Sequence, residues 1–343
     1  MKRWQSILIG LVISAVALFF ALRQADLGAM AAAFQQARYE YIVLAAVLFF
    51  GLVVIRGVRW SVLTQGRLKA VDAIWLFSIG FLFNNILPAK LGEVARGALA
   101  GRRPSMHFSS ALSSIVVERL FDMVSVVILF GVVLAGLGLP GWATQAGIVM
   151  GVLAITGLIV LAVAARMPDL ALNVGSTLMA LLPRIEKEHA HQFLEPFIDG
   201  LGGVSNWKTF AGGFFLSVLA WFASGFVGWV LMLAFFDQPP IIDGLLAVAA
   251  AGLGIAVPAA PSGLGPFHAA VIGVLTATDY PADAARSYAF ALHGLNFATT
   301  SLMGVIGLLR EGVSFKEVRE AAESAQQATQ ANAATEAAEA PAG

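Results

Sequence analysis

Apolar positions along this chain of 343 residues come in blocks separated by short polar stretches. The blocks fall at 4–22, 41–60, 72–88, 108–136, 145–165, 209–235, 242–258, 264–278 and 285–309. About twenty apolar residues in α-helix cover a hydrocarbon layer of about 30 Å. The pattern therefore predicts an all-α polytopic membrane protein. Two blocks make poor spans. Segment 72–88 ends in Asn84-Asn85-Ile86-Leu87-Pro88, and 242–258 runs into Pro258-Ala259-Ala260-Pro261-Ser262-Gly263-Leu264-Gly265-Pro266. Proline and glycine at this density leave backbone groups unpaired, and lipid does not satisfy them. The expectation is six full spans plus two re-entrant helical hairpins, 72–100 and 242–278, each covered by protein or by a wet cavity.

Basic residues decide the topology. The hairpin arrangement puts Lys2, Arg3, Arg56, Arg59, Arg67, Lys69, Arg102, Arg103, Arg166, Arg184, Lys187, Lys208, Arg310, Lys316 and Arg319 on the cytoplasmic side. Only Arg23, Arg38 and Arg286 fall outside. A full span at 72–88 would send Arg102, Arg103 and the basic residues from Arg166 to Lys208 outward, against the positive-inside rule. The expected setting is a bacterial inner (cytoplasmic) membrane, crossed many times, with both termini cytoplasmic. The two hairpin mouths then open on opposite sides, as in inverted-repeat transporters. No residue-level repeat is visible, so that symmetry rests on topology.

The flanks follow the same logic. Lys2 and Arg3 precede an apolar run from Trp4 to Leu22 without a small-x-small cleavage site, so an uncleaved first span is expected. Between 166 and 208, Leu170, Val174, Leu178, Leu181, Leu182 and Ile185 recur at helical spacing, as in a helix lying on the cytoplasmic membrane surface. Residues 320–343 carry no large apolar side chain and read as a disordered tail behind a transmembrane domain of 1–319.

Composition narrows the chemistry. The chain is 59% hydrophobic and 12% charged, half the charge of a typical soluble domain. With no cysteine, thiolate chemistry and disulfides are excluded. His189 and His191 have no third ligand nearby in sequence, so no metal is expected. No glycine-rich nucleotide loop occurs, so no cofactor is expected. The formal net charge is zero, and no nucleic-acid partner is expected.

The strongest chemical signal is a group of ionisable residues inside apolar helices. Glu118, Arg119 and Asp122 sit about ten residues into segment 108–136, roughly 15 Å deep. Glu118 and Asp122 share a face, and Arg119 can pair with Asp122. Lys90, Glu93 and Arg96 follow the first break at spacings of three, on one face of the returning helix. Pooled, three bases balance three acids. Either this is an ion-pair lock joining hairpin to helix, or a polar site for a head group or a coupling ion such as a proton. Asn84 and Asn85 can cap the broken helix or line a pocket. Ser262, Gly263 and Gly265 precede a helix N-terminus that could take a phosphate or form a plain turn. Arg56, Arg59 and Trp60 read as a membrane-interface anchor, with Arg56 the one best placed to reach inward.

Three ordered motifs, Asn84–Arg96 (NNILPAKLGEVAR), Val116–Asp122 (VVERLFD) and Pro261–Pro266 (PSGLGP), resemble those of the flippase-like family named for the transmembrane region of lysylphosphatidylglycerol synthases. Arg56–Trp60 is similar to its R-x-x-R-W segment, and the resemblance covers about residues 5–310. It implies translocation of a phospholipid, polyprenyl-linked or hopanoid-type lipid, with membrane lipids as partners. This chain has His268 where the family often has glutamate, and His293 where a basic residue is common. No soluble synthase domain is expected beside the membrane part, so aminoacyl transfer is not implied.

The expected function is a lipid transporter or flippase for an anionic or amphipathic head group, with no catalytic residue and no enzyme activity. One alternative is a non-transporting partner of a lipid- or glycan-modifying enzyme. The other is an intramembrane lipid-phosphate enzyme using the acid cluster as base.

Overall fold

The structure, a computed structural model, describes residues 25–87, 91–137, 141–180, 187–201, 206–256 and 261–324, with 12, 15–19 and 21–22 before them. The described residues hold helices and no strand. They are α1 (Leu27–Gln35), α2 (Tyr39–Leu63), α3 (Ala70–Ile86), α4 (Leu91–Gly101), α5 (Phe108–Leu137), α6 (Gly141–Arg166), α7 (Pro168–Ala180), α8 (Lys187–Gly200), α9 (Trp207–Phe235), α10 (Ile241–Ala256), α11 (Pro266–Ala277) and α12 (Ala282–Glu311). A further helix, α13, covers 315–324.

Three of these, α2, α9 and α12, are long and apolar enough to cross a membrane. Helix α5 runs 30 residues but carries three charges in its first half. A fourth candidate crossing, from Ile155 in α6 to Thr177 in α7, is bent by 115° at Met167. The expected surface helix at 166–208 is thus two packed helices, α7 and α8, with 181–186 and 202–205 outside the described residues. Most of the expected first span, 4–22, also lies outside them. Large apolar side chains such as Val43, Val47, Phe215, Leu219, Leu302 and Val305 remain exposed on the long helices, as lipid-facing positions do.

Helices α2 and α9 pack antiparallel through the centre. At one end Arg38 donates to the carbonyls of Ala234 and Phe236; towards the other, Arg59 donates to the Ser217 hydroxyl at 3.1 Å. On each side of this pair a short helix stops level with the middle of a 30-residue one. Helix α3 runs antiparallel to α12, and Asn85 at its end reaches Thr300 and Ser301 at 2.9 and 3.0 Å. Helix α10 packs on the later half of α5, where Leu245, Leu246 and Ala249 cluster with Leu129, Phe130 and Val133. Its Gly252 comes level with Val126.

Each short helix is followed by a returning one. The start of α3 meets the end of α4 where Ser105 donates to the Arg67 carbonyl at 2.8 Å. The start of α10 meets the end of α11 where the Tyr280 hydroxyl donates to Asp243 at 2.5 Å. Close approach needs glycine at both turns. A Cβ on Gly92 would strike the Gly80 carbonyl and the Asn84 side chain; one on Gly254 would lie 2.7 Å from the Pro266 carbonyl. Small residues at helix contacts let backbones touch in this way.

Residues 320–324, expected as part of a disordered tail, belong to α13. Val318 and Ala322 on α13 are buried, and Phe315 stacks on Phe83 with ring centroids 4.3 Å apart. Residues 325–343 lie outside the described residues.

Candidate functional site

Where α2, α4, α5 and α9 meet, the chain buries a continuous ion network. Glu118, fully buried, accepts from both terminal guanidinium nitrogens of Arg96, Nη1 and Nη2, at 3.1 and 2.9 Å. Arg59, 1% exposed, lies 3.1 Å from the same carboxylate and also pairs with Asp122. Asp122 accepts from the Trp221 indole at 3.0 Å and lies 3.5 Å from Arg119. Arg119 in turn pairs with Glu93 at 2.9 Å. The expected union of the returning helix with α5 is therefore present through Glu93, Arg96, Glu118, Arg119 and Asp122. The position of Lys90 lies outside the described residues.

The assignment of Arg59 and Trp60 to a membrane interface is corrected. Helix α2 continues to Leu63, so both side chains turn inward instead of ending the span. Trp60 is fully buried, donates to the Ser114 hydroxyl at 3.0 Å and carries the Arg96 guanidinium 4.8 Å above its ring. Arg56 also turns inward, donating to the Ser224 hydroxyl at 3.1 Å. The sequence reading missed the α9 partners. Ser217, Trp221 and Ser224 sit four and three residues apart, a polar stripe on an otherwise apolar helix, and that spacing was the signal available.

Beside the network lies a cavity of about 480 Å³. Its polar wall is Arg56, Arg59, Glu118, Arg119, Asp122, Ser224 and Asn296. Its apolar wall includes Phe49, Phe77, Phe81, Met123, Val126, Val248, Ile255, Phe267 and Leu292. That volume is in the usual range for small-molecule sites, and the split lining suits an amphipathic guest. Among the described residues no group of three or more His, Asp or Glu side chains is arranged to hold a metal.

The remaining expected site residues gather elsewhere. Asn84 accepts from the Gly92 amide at 2.9 Å and so caps the returning helix α4. Asn85 faces Ser262, 3.4 Å away, so the two chain breaks touch. The Ser262 hydroxyl lies 3.1 Å from His293 Nε2, and the His268 and His293 rings stack with centroids 4.8 Å apart. Ser262, Gly263 and Gly265 all adopt positive φ, which forms the tight turn before α11. The Gly265 amide points to His268 Nδ1 at 3.5 Å, leaving less of the helix N-terminus free for a phosphate. Three buried polar atoms here have no partner: His268 Nε2, His293 Nδ1 and Asn296 Oδ1. Of these residues Asn296 lines the cavity, so the neutral cluster borders the charged one.

Comparison with known proteins bears on this arrangement. The chain is 25% identical to the glycosyltransferase AglD of Haloferax volcanii over 90% of its own length, and spans 55% of the length of AglD. It is 26% identical to a UPF0104 membrane protein of Methanocaldococcus jannaschii, matching 65% of this chain and 91% of that one. A UPF0104 membrane protein of Methanothermobacter thermautotrophicus is 22% identical, with 82% and 87% covered. No solved structure matches. Residues 7–304 match the family described as the lysylphosphatidylglycerol synthase TM region. Both matched motif runs that form the buried network, and the glycine-proline turn beside it, fall within that match: the chain is a membrane protein belonging to the lysylphosphatidylglycerol synthase transmembrane-region family.

Proposed function

We propose that this protein is a lipid transporter that passes a polar head group between leaflets while the acyl or prenyl tails stay in lipid. The observation that carries the reading is the amphipathic cavity of about 480 Å³, with an ion network on one wall and aromatic and aliphatic side chains on the other. A purely structural core gains little from such a wall, because well-packed apolar residues are often at least as stable as a buried ion pair. Helices α3–α4 and α10–α11 act as two re-entrant hairpins in an inverted repeat. The run of a long helix, two short ones and a long one occurs twice, with 25, 17, 11 and 30 residues in α2–α5 and 29, 16, 12 and 30 in α9–α12. Their mouths open at opposite ends of α2, and their broken ends meet at Asn85 and Ser262. Basic residues favour a cytoplasmic mouth for the first hairpin and cytoplasmic termini, in an inner membrane.

The carboxylates of the network are matched by guanidinium groups, which leaves them poor general bases, and the protein acts without catalysing bond cleavage. No nucleotide loop supplies energy, so movement is downhill or coupled to an ion such as a proton. The test is head-group exchange in sealed vesicles. Protein-containing vesicles exchange a fluorescent phospholipid between leaflets faster than empty ones, and filling the cavity with Ala251→Trp removes the gain. Equal rates with and without folded protein sink the proposal. One observation favours a second reading: the alignment with AglD, named a glycosyltransferase, covers little more than half of that protein. On that reading this chain is the membrane partner of a glycan- or lipid-modifying enzyme. Co-purification with such an enzyme, and normal function of Glu93→Gln and Arg119→Gln proteins, would favour it.

A further inference from the structure

Among the described residues, charges around the cavity do not cancel. Arg59 faces Glu118 and Asp122, Arg96 faces Glu118, and Arg119 faces Glu93, so three guanidinium groups share three carboxylates. Arg56 is the fourth cation, one helical turn before Arg59 on α2 and on the cavity wall. Its hydrogen bond goes to a neutral group, the Ser224 hydroxyl, at 3.1 Å. Among the described residues no carboxylate lies within ion-pair distance of it. Of these charged groups, Arg56, Arg59 and Arg119 line the cavity against Glu118 and Asp122, so the described residues of the polar wall carry one net positive charge.

A guanidinium has five N–H donors in a planar fork that fits phosphate oxygens, and Ser224 takes one of them. Held about 10 Å from the nearer end of α2, such a cation is unfavourable until an anion meets it. Charge-assisted, paired donation to a phosphate satisfies both needs. Resting on the head-group reading of the cavity, we propose that Arg56 receives the phosphate of the guest, and that the guest carries one net negative charge on a phosphodiester or phosphate monoanion. Ser224 holds the guanidinium towards the cavity, and the apolar wall beyond takes the first methylenes of the tail. A zwitterionic head group brings its own cation into a wall that is already positive, so it binds more weakly.

Calorimetric binding to the full chain in neutral detergent tests this with three probes: dihexanoyl phosphatidylglycerol, dihexanoyl phosphatidylcholine and inorganic phosphate. The native protein prefers the glycerol lipid to the choline lipid by about tenfold or more. Arg56→Gln removes that preference, Arg56→Lys keeps most of it, and Arg67→Gln, a surface cation paired with Asp199, leaves it unchanged. Inorganic phosphate that displaces the glycerol lipid at equal concentration makes a free anion the source of the ligand; failure to displace it makes the lipid the source. An unaltered preference in folded Arg56→Gln protein, or no preference in the native protein, overturns the assignment. Binding is read apart from exchange: Arg56-dependent binding without vesicle exchange sinks the transporter reading alone, and exchange indifferent to Arg56 sinks the anion site alone.

Discussion

The two hairpins are built alike and furnished differently. Helices α3 and α4 have 17 and 11 residues, and α10 and α11 have 16 and 12. Each closes on a glycine that touches a backbone carbonyl, and each stops level with the middle of a 30-residue helix. The first hairpin brings Glu93 and Arg96 to the charged stretch of α5; the second brings Ser262 and His268 to the uncharged stretch of α12 around His293. Among the described residues, a hairpin of this shape is thus held in place without any ion pair. The second hairpin serves as an internal control for the reading in which the charges only lock the first. If packing and glycine suffice at one break, the ions at the other answer to something besides architecture.

That contrast can be broken by substitution, and the largest effect belongs to the charged side. Glu118→Gln strands Arg96 and Arg59 without their shared carboxylate, and costs about 3–5 kcal/mol of stability in an unfolding titration in mixed micelles. The counterpart on the neutral side, His268→Phe, costs less than about 1.5 kcal/mol, because its Nε2 already lacks a partner. Equal losses at the two sites would abolish the distinction. Gly92→Ala and Gly254→Ala test the shared part, and each is expected to cost about 1–3 kcal/mol by forcing the hairpin apart. Ser262→Ala, which removes the hydroxyl between Asn85 and His293, costs about 0.5–1.5 kcal/mol if the two breaks support one another.

The smallest effect lies outside the hairpins, at the start of α13. Glu317 accepts from the Ser314 backbone amide and hydroxyl, and these bonds hold its carboxyl below the usual carboxylate range. A lowered pKa means that this capping is fully present above the ordinary carboxylate range and fades as pH falls through the folded value. Hydrogen exchange of the first α13 amides should lose protection in acid in the native chain. The Glu317→Gln protein should show no such acid-dependent step.

Much of this arrangement is legible along the chain. Proline, glycine and asparagine clusters mark both breaks, since few other features would interrupt apolar helices there. Charges four and three residues apart mark the acidic face of α5. What eludes the sequence is depth. Arg59 and Trp60 close an apolar run, and a one-dimensional reading puts such residues in water. Only the antiparallel packing of α9, which supplies Ser217 and Trp221, and the return of α4, which lays Arg96 on Trp60, make them interior. For the same reason residues 320–324 look like tail, since Val318 and Ala322 become core only once the first hairpin offers a surface.

The chain has no cysteine, so one can be placed at Ser224 and addressed alone. Helix α9 puts that position on the cavity wall beside Arg56. In sealed vesicles of known orientation, a charged thiol reagent that does not cross lipid should modify Ser224→Cys from either side, and short-chain phosphatidylglycerol should slow the reaction. A thiol that stays inert from both sides, yet reacts once the protein is unfolded, would mean a sealed ionic core and no path for a head group.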